Sequence, residues 1–181
     1  RVLLHDAKNP AQAREKATAL PSALERELGV YAAGVSIEPA PDLAAAVGQS
    51  DIIVTATPSY KPLVQAAWVR PGTHFSCVGA DLAGKQELDG AILAGARVYT
   101  DDTPQCLAVG EVEMAVKQGF LAPQEIAGEL GQVLAGQKPG RTGDGDITVF
   151  DTTGIALQDL AAAACALRRA EAMGVGTVVQ L

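Results

Sequence analysis

The run Val78-Gly79-Ala80-Asp81-Leu82-Ala83-Gly84-Lys85-Gln86-Glu87-Leu88-Asp89 sets a carboxylate between two glycines, with a lysine close behind. If the apolar residues before it form a strand, Asp81 stands at the rim of a sheet, with Val78 and Gly79 beside it. A carboxylate placed there can exchange a proton with a bound amine, an imine or an attacking water. A local role competes: Asp and Glu favour helix N-termini, so Asp81 could simply cap the next helix.

Two further segments have the same character. Asp51-Ile52-Ile53-Val54 reads as a buried strand that opens into the small and hydroxylated residues Thr55, Ala56, Thr57, Pro58 and Ser59. Ligands of open α/β sheets lie beyond the carboxyl ends of strands, where small side chains let backbone approach a cofactor. The alternative is a polar turn broken by Pro58. Asp6 ends the strand-like stretch from Arg1, and dinucleotide-binding folds hold the ribose hydroxyls with an acid about 20 residues after their glycine turn. Asp6 serves equally as a cap of the turn before Asn9-Pro10, and Lys8 leaves room for a 2′-phosphate if the loop through Ala7 turns it inward.

The other chemistry-bearing residues read as structural. His5 and His74 lie on expected strands without ligand-like spacing. Cys77, Cys106 and Cys165 are odd in number, widely spaced and outside any CxxC pattern, which argues against a disulfide framework or structural zinc and for a reducing, cytoplasmic setting. No metal site is expected, and all three cysteines read as small core residues.

Positioning these segments requires an α/β architecture. Short apolar runs alternate with helical patterns: strands over Arg1–Asp6, Ala33–Ile37, Asp51–Val54, Thr73–Val78 and Ala96–Tyr99, and helices from Asn9-Pro10 to Leu28, over Asp42–Val47 and over Glu87–Leu93. This is the rhythm of a doubly wound parallel sheet. After Thr100 the spacing predicts helices over Glu111–Lys117 and Glu125–Leu134, a glycine-rich turn, a strand over Ile147–Phe150 and an Ala-rich helix over Gly154–Met173, read as a core helix of this domain. The chain opens at Arg1 directly into strand-like Val2-Leu3-Leu4, so a preceding segment carrying the first strand and the glycine turn is expected.

Composition narrows the function classes. Of 181 residues 48% are hydrophobic and 19% charged, the balance of a soluble globular domain. Acidic residues outnumber basic ones 21 to 14, leaving a net charge of −7 and no basic run to track a phosphate backbone, which argues against nucleic acid as a partner. No apolar stretch reaches the roughly 18 residues that a membrane span needs.

Taken together, DIIVTATPS, WVRPGTHFSCVGADLAGKQELD, GEVEMAVKQGFL and ELGQVLAGQKPGRTGDGDITVFDTTGIALQD resemble, in order and spacing from Asp51 to Asp159, successive motifs of the ornithine cyclodeaminase and mu-crystallin family. The resemblance implies a Rossmann-type NAD(P) domain over 1–146, incomplete at its N-terminus. It also implies a 147–181 segment that packs on a missing N-terminal substrate and dimerisation domain, and a homodimer formed through that domain. The substrate would be a small amino or imino acid and the cofactor NAD, with NADP as the alternative. Asp81 matches the family's active-site aspartate, Val78 and Gly79 lie beside the nicotinamide, and Thr55 to Ser59 match the cofactor loop. Asp151-Thr152-Thr153-Gly154-Ile155 matches FDSTG, placing Thr153 and Gly154 near the substrate, and Asp6 matches the ribose-binding acid that favours NAD.

The implied reaction is hydride transfer at the α-carbon, as in ornithine cyclodeaminase, which converts L-ornithine to L-proline and ammonia. Alanine dehydrogenase or ketimine reductase is the alternative within the family, and non-catalytic binding of a nucleotide or small ligand, as in mu-crystallin, the alternative outside enzymes. The family's substrate-carboxylate Arg and Lys, and its glycine fingerprint, match nothing in this chain.

Overall fold

Short strand-like runs alternating with helical segments set the element order. In the computed structural model, which describes residues 1–6, 8–29 and 33–179, these are β1 (Val2–Leu4), α1 (Pro10–Leu28), β2 (Ile37–Pro39), α2 (Leu43–Val47), β3 (Ile52–Thr55) and β4 (Tyr60–Val64). They continue with β5 (His74–Cys77), β6 (Gln86–Leu88), α3 (Gly90–Ala94), β7 (Arg97–Thr100), α4 (Thr103–Cys106) and α5 (Glu111–Lys117). The chain ends with β8 (Gly128–Glu129), α6 (Leu130–Leu134), β9 (Thr148–Asp151) and α7 (Ala156–Met173). Ala7, and with it the expected course of the loop ahead of Lys8, lies outside the described residues.

The main sheet has the order β3-β5-β9-β7-β8 and every pair in it is parallel. This is the expected α/β, Rossmann-like parallel architecture. β1 with β2, and β4 with β6, form two separate parallel pairs. Register places Ile53, Phe75, Val149 and Val98 in one row across the main sheet. That row joins Leu88, Ile92, Leu93, Val112 and Ala115 in the hydrophobic core. Two residues further on, the same face carries Thr55, Cys77, Asp151 and Thr100, all buried. The core therefore turns polar at the carboxyl ends of its strands. On the opposite face of β3, Ile52 and Val54 are 68% and 63% exposed.

Several elements differ from the sequence reading. The helix expected over Glu87–Leu93 is instead β6 followed by α3, because Tyr60–Val64, unrecognised owing to Pro62, supplies β6 with a strand partner and Asp89 caps α3 through Ala91 N. The second strand starts at Ile37 rather than Ala33, in register with Val2–Leu4. The helix expected over Glu125–Leu134 is split into a 3₁₀ turn, β8 and α6, since Gly128 takes a φ of +153° and pairs with Tyr99. Thr148–Asp151 lies between β5 and β7 in the main sheet. The Ala-rich helix is not a core helix: no residue of α7 is buried, and Leu157, Leu160, Leu167 and Met173 are all more than half exposed. Cys165 on that helix is exposed, whereas Cys77 and Cys106 are buried as read.

Candidate active site at the carboxyl ends of the sheet

Because β3, β5, β9 and β7 are parallel neighbours, the segments that follow them leave the sheet along one edge. After β3, Ala56, Thr57 and Pro58 are exposed; after β5, Val78 and Asp81 are exposed. Gly79 brings these loops together. A Cβ there would stand 2.5 Å from Thr57 O and 2.6 Å from Thr57 N, and would collide with Glu87 Oε2. Only a residue without a side chain permits this approach.

Asp81 does not cap a helix. Its carboxylate accepts a hydrogen bond from the Lys85 ammonium, which also reaches Gly79 O at 3.5 Å. That hydrogen bond from Lys85 holds the Asp81 carboxyl below its usual range. The turn is fixed from outside as well, where Gly84 N donates to Glu113 Oε2 at 2.8 Å and the Glu113 carboxylate also pairs with Lys117.

Beneath the loops lies a sequence of carboxylates gripping backbone, which the sequence reading did not find. Thr57 N donates to Glu87 Oε1 (2.7 Å), Glu87 N and Leu88 N donate to Glu111 (2.6 and 3.1 Å), and Val112 N donates to Asp151 Oδ2 (2.9 Å). Burial pushes the Glu111 carboxyl up to about 8 despite those two N–H donors, with Asp151 and Glu87 adding to the rise. Burial likewise raises Asp151 to about 7. Among the described residues, Glu87 Oε2 and Asp151 Oδ1 are buried without a hydrogen-bond partner. The acidic start of α5 reads in sequence as an ordinary helix N-terminus; what it grips depends on contacts more than twenty residues away.

Thr153 and Gly154 are fixed by Asp101, another residue the sequence reading missed. Its Oδ2 accepts from Thr152 Oγ1, Thr153 N and Gly154 N at 2.8 to 3.0 Å, and Gln105 Nε2 donates to Thr153 Oγ1 and Gly154 O. Burial pushes the Asp101 carboxyl up, but hydrogen bonds from Thr152, Cys106, Asp102 and Gly154 outweigh it and hold the group below its usual range. Gly154 has a φ of +77°, which suits glycine at this turn.

Asp6 stands apart from this group, at the end of β1. Its carboxylate caps the turn that follows. Oδ1 accepts Lys8 N and Asn9 N, each at 2.9 Å, and those bonds hold the carboxyl below its usual range. No hydrogen bond reaches Oδ2 among the described residues. Asp6 also lines a pocket with His5, Pro10, Ala13, Arg14, Pro39 and Ala40. Lys8 is exposed. The histidines are structural: His5 Nδ1 meets Ala40 O and His74 Nδ1 meets Thr148 Oγ1. Among the described residues, no helix is long and apolar enough to cross a membrane.

Comparison with known proteins agrees with this layout. The model of the ornithine cyclodeaminase/mu-crystallin family matches residues 15–173. An alanine dehydrogenase of Archaeoglobus fulgidus is 41% identical over 145 residues, covering 80% of this chain and 44% of that protein. The structure of an archaeal alanine dehydrogenase dimer with bound NAD aligns with a TM-score of 0.83 at 37% identity, over 99% of this chain and 52% of its own. The Δ1-pyrroline-2-carboxylate reductase of Thermococcus litoralis, in complex with NADH and L-proline, aligns with a TM-score of 0.87 at 30% identity, over 98% and 52%. This chain thus spans about half the length of the proteins it matches.

Proposed function

This chain belongs to the ornithine cyclodeaminase/mu-crystallin family, and on that premise we propose that the full-length protein is an NAD-dependent enzyme moving a hydride at the α-carbon of a small amino or imino acid. The observation that carries the reading is the packing of Gly79 on Thr57, with the exposed Asp81 carboxylate two residues on. A binding protein has no need of a proton-exchanging group at the point where two cofactor loops meet.

The residues fit the cofactor. The pocket beside Asp6, with one carboxylate oxygen left without a partner among the described residues, suits an adenosine whose ribose hydroxyls donate to Oδ2. Backbone of Thr55 to Ser59, with Val78 and Gly79, would border the nicotinamide, which when bound accepts or supplies the hydride. Asp81, held ionised, takes the proton that leaves the substrate amine as the α-carbon is oxidised to an imine, or the proton of the water that attacks it. Thr153 and Gly154, fixed by Asp101, border the substrate. The remaining length of the relatives would supply the glycine turn, the ligands of the substrate carboxylate and a homodimer contact.

Net oxidation or reduction, as in the alanine dehydrogenase and the pyrroline-carboxylate reductase, is the favoured cycle. Ring-closing deamination of L-ornithine, which shares the first transfer and returns the hydride, is the second reading and is favoured by the family match. Full-length protein incubated with NAD and L-alanine, L-proline or L-ornithine separates them. Accumulation of reduced nicotinamide, seen by its near-ultraviolet absorbance, is expected with L-alanine or L-proline. Release of ammonia and L-proline from L-ornithine without net reduction would overturn the redox reading, and no ammonia from L-ornithine would overturn the ring-closing one.

A further inference from the structure

We infer that Lys85 is a positioning residue for Asp81, its ammonium fixing the carboxylate in one orientation over Gly79. The inference rests on the reading of Asp81 as the group that exchanges a proton. Lysine is seldom buried unless paired, yet the Lys85 side chain is only 10% exposed while Asp81 is 57% exposed. The buried partner is therefore the cation, and the carboxylate it holds faces outward.

Backbone bonds on both sides set where the lysine stem starts: Lys85 N donates to Leu82 O, and Gln86 N donates to Ser59 O. The ammonium reaches two acceptors, Asp81 Oδ1 and Gly79 O. Asp81 has no other side-chain partner among the described residues, so without Lys85 an exposed two-torsion side chain would sample its rotamers freely. Other charged groups near the loop are already engaged. Glu113, on α5, holds Gly84 N and Lys117, and Glu87, on β6, holds Thr57 N. Lys85 is thus the cation that sets both the direction and the charge state of Asp81. This agrees with the lowered Asp81 carboxyl, whose largest cause is the Lys85 hydrogen bond.

The test is a titration of the Asp81 carboxyl by carbon NMR in full-length protein labelled at aspartate, its signal identified by its loss in Asp81→Asn. Replacing Lys85 with Met or with Gln should raise the titration midpoint, because the adjacent opposite charge that favours the ionised carboxyl is lost. Lys85→Arg should restore it. Glutamine keeps a donor without the charge, so it reads the effect even if the Met variant fails to fold. In the hydride assay the Gln variant should lose kcat with KM for NAD unchanged. A midpoint that does not move in either neutral variant overturns the role of Lys85. Full turnover in Asp81→Asn would instead overturn the reading of Asp81 on which the inference stands.

Discussion

Glu111 holds Glu87 by its backbone: one carboxylate, at the start of α5, accepts Glu87 N at 2.6 Å and the adjacent Leu88 N at 3.1 Å. Glu87 in turn accepts Thr57 N, so the end of β3 is tied to α5 through β6. Replacing Glu111 with Ala would strand two buried donors, each costing about 1–3 kcal/mol when unsatisfied. A loss of about 2–6 kcal/mol is expected in urea unfolding of the full-length protein, with Glu111→Gln losing less because one acceptor oxygen remains.

The same buried acids make stability depend on pH. Glu111 rises from 4.5 to about 8 and Asp151 from 3.8 to about 7, both chiefly through burial. A carboxyl raised in the folded state binds a proton that the unfolded state has released, so its contribution is full below the unfolded value and is lost as pH rises through the folded one. The melting temperature should therefore fall between pH 4.5 and about 8, the window set by Glu111. Glu111→Gln should flatten the upper part of that fall. An unchanged slope in Glu111→Gln would show that this carboxyl is already ionised in the fold.

Gly79 is where geometry leaves least room. Adding a methyl group would place it 2.5 Å from Thr57 O, and overpacking of this kind typically costs about 1–3 kcal/mol. Gly79→Ala should lower the melting temperature and, because the β3 loop must move, weaken NAD binding in calorimetry. Unchanged affinity would detach this loop pair from the cofactor.

The parts of this layout that follow from short-range pattern were legible in the sequence. Asn9-Pro10 starts α1, Asp42 caps α2, and the short strand-like runs give β3, β5 and β9 close to their observed bounds. The loops bearing Thr57, Gly79 and Asp81 were legible for the same reason, since each follows directly from a strand. Long-range pairing was not. Tyr60–Val64 contains a proline and becomes a strand only because Gln86–Leu88 runs beside it. Glu87, Glu111 and Asp101 look like ordinary helix-start or turn acids until the fold brings distant backbone N–H groups to them. The exposure of α7 likewise cannot be read from alanine content, which favours a helix without saying what covers it.

Asp81→Asn keeps the size of the side chain and removes its ability to take a proton. Turnover in the full-length protein should fall by about 10²–10⁴-fold, the scale of a lost general base. NAD affinity measured by calorimetry should hold, because Gly79 and Thr57 are untouched. Equal loss of affinity and turnover would indicate that the substitution had displaced the loop.

If Asp6 holds the ribose, cofactor choice turns on Oδ2, the oxygen without a hydrogen bond among the described residues. Oδ1 is committed to Lys8 N and Asn9 N, which hold the carboxyl ionised and its plane fixed. Oδ2 can then accept a ribose hydroxyl of NAD, while a 2′-phosphate in the same place would face a fixed negative charge. Arg14, which shares the pocket, is the cation best placed to soften that repulsion; Lys8 is exposed. Asp6→Ser retains a hydroxyl for the turn and removes the charge, so kcat/KM with NADP should rise relative to NAD. Adding Arg14→Ala to Asp6→Ser should take back part of the gain, because the phosphate then loses its cation. If Asp6→Ser leaves the NADP to NAD ratio unchanged, Asp6 acts only as the cap of its turn and the preference is set by residues elsewhere.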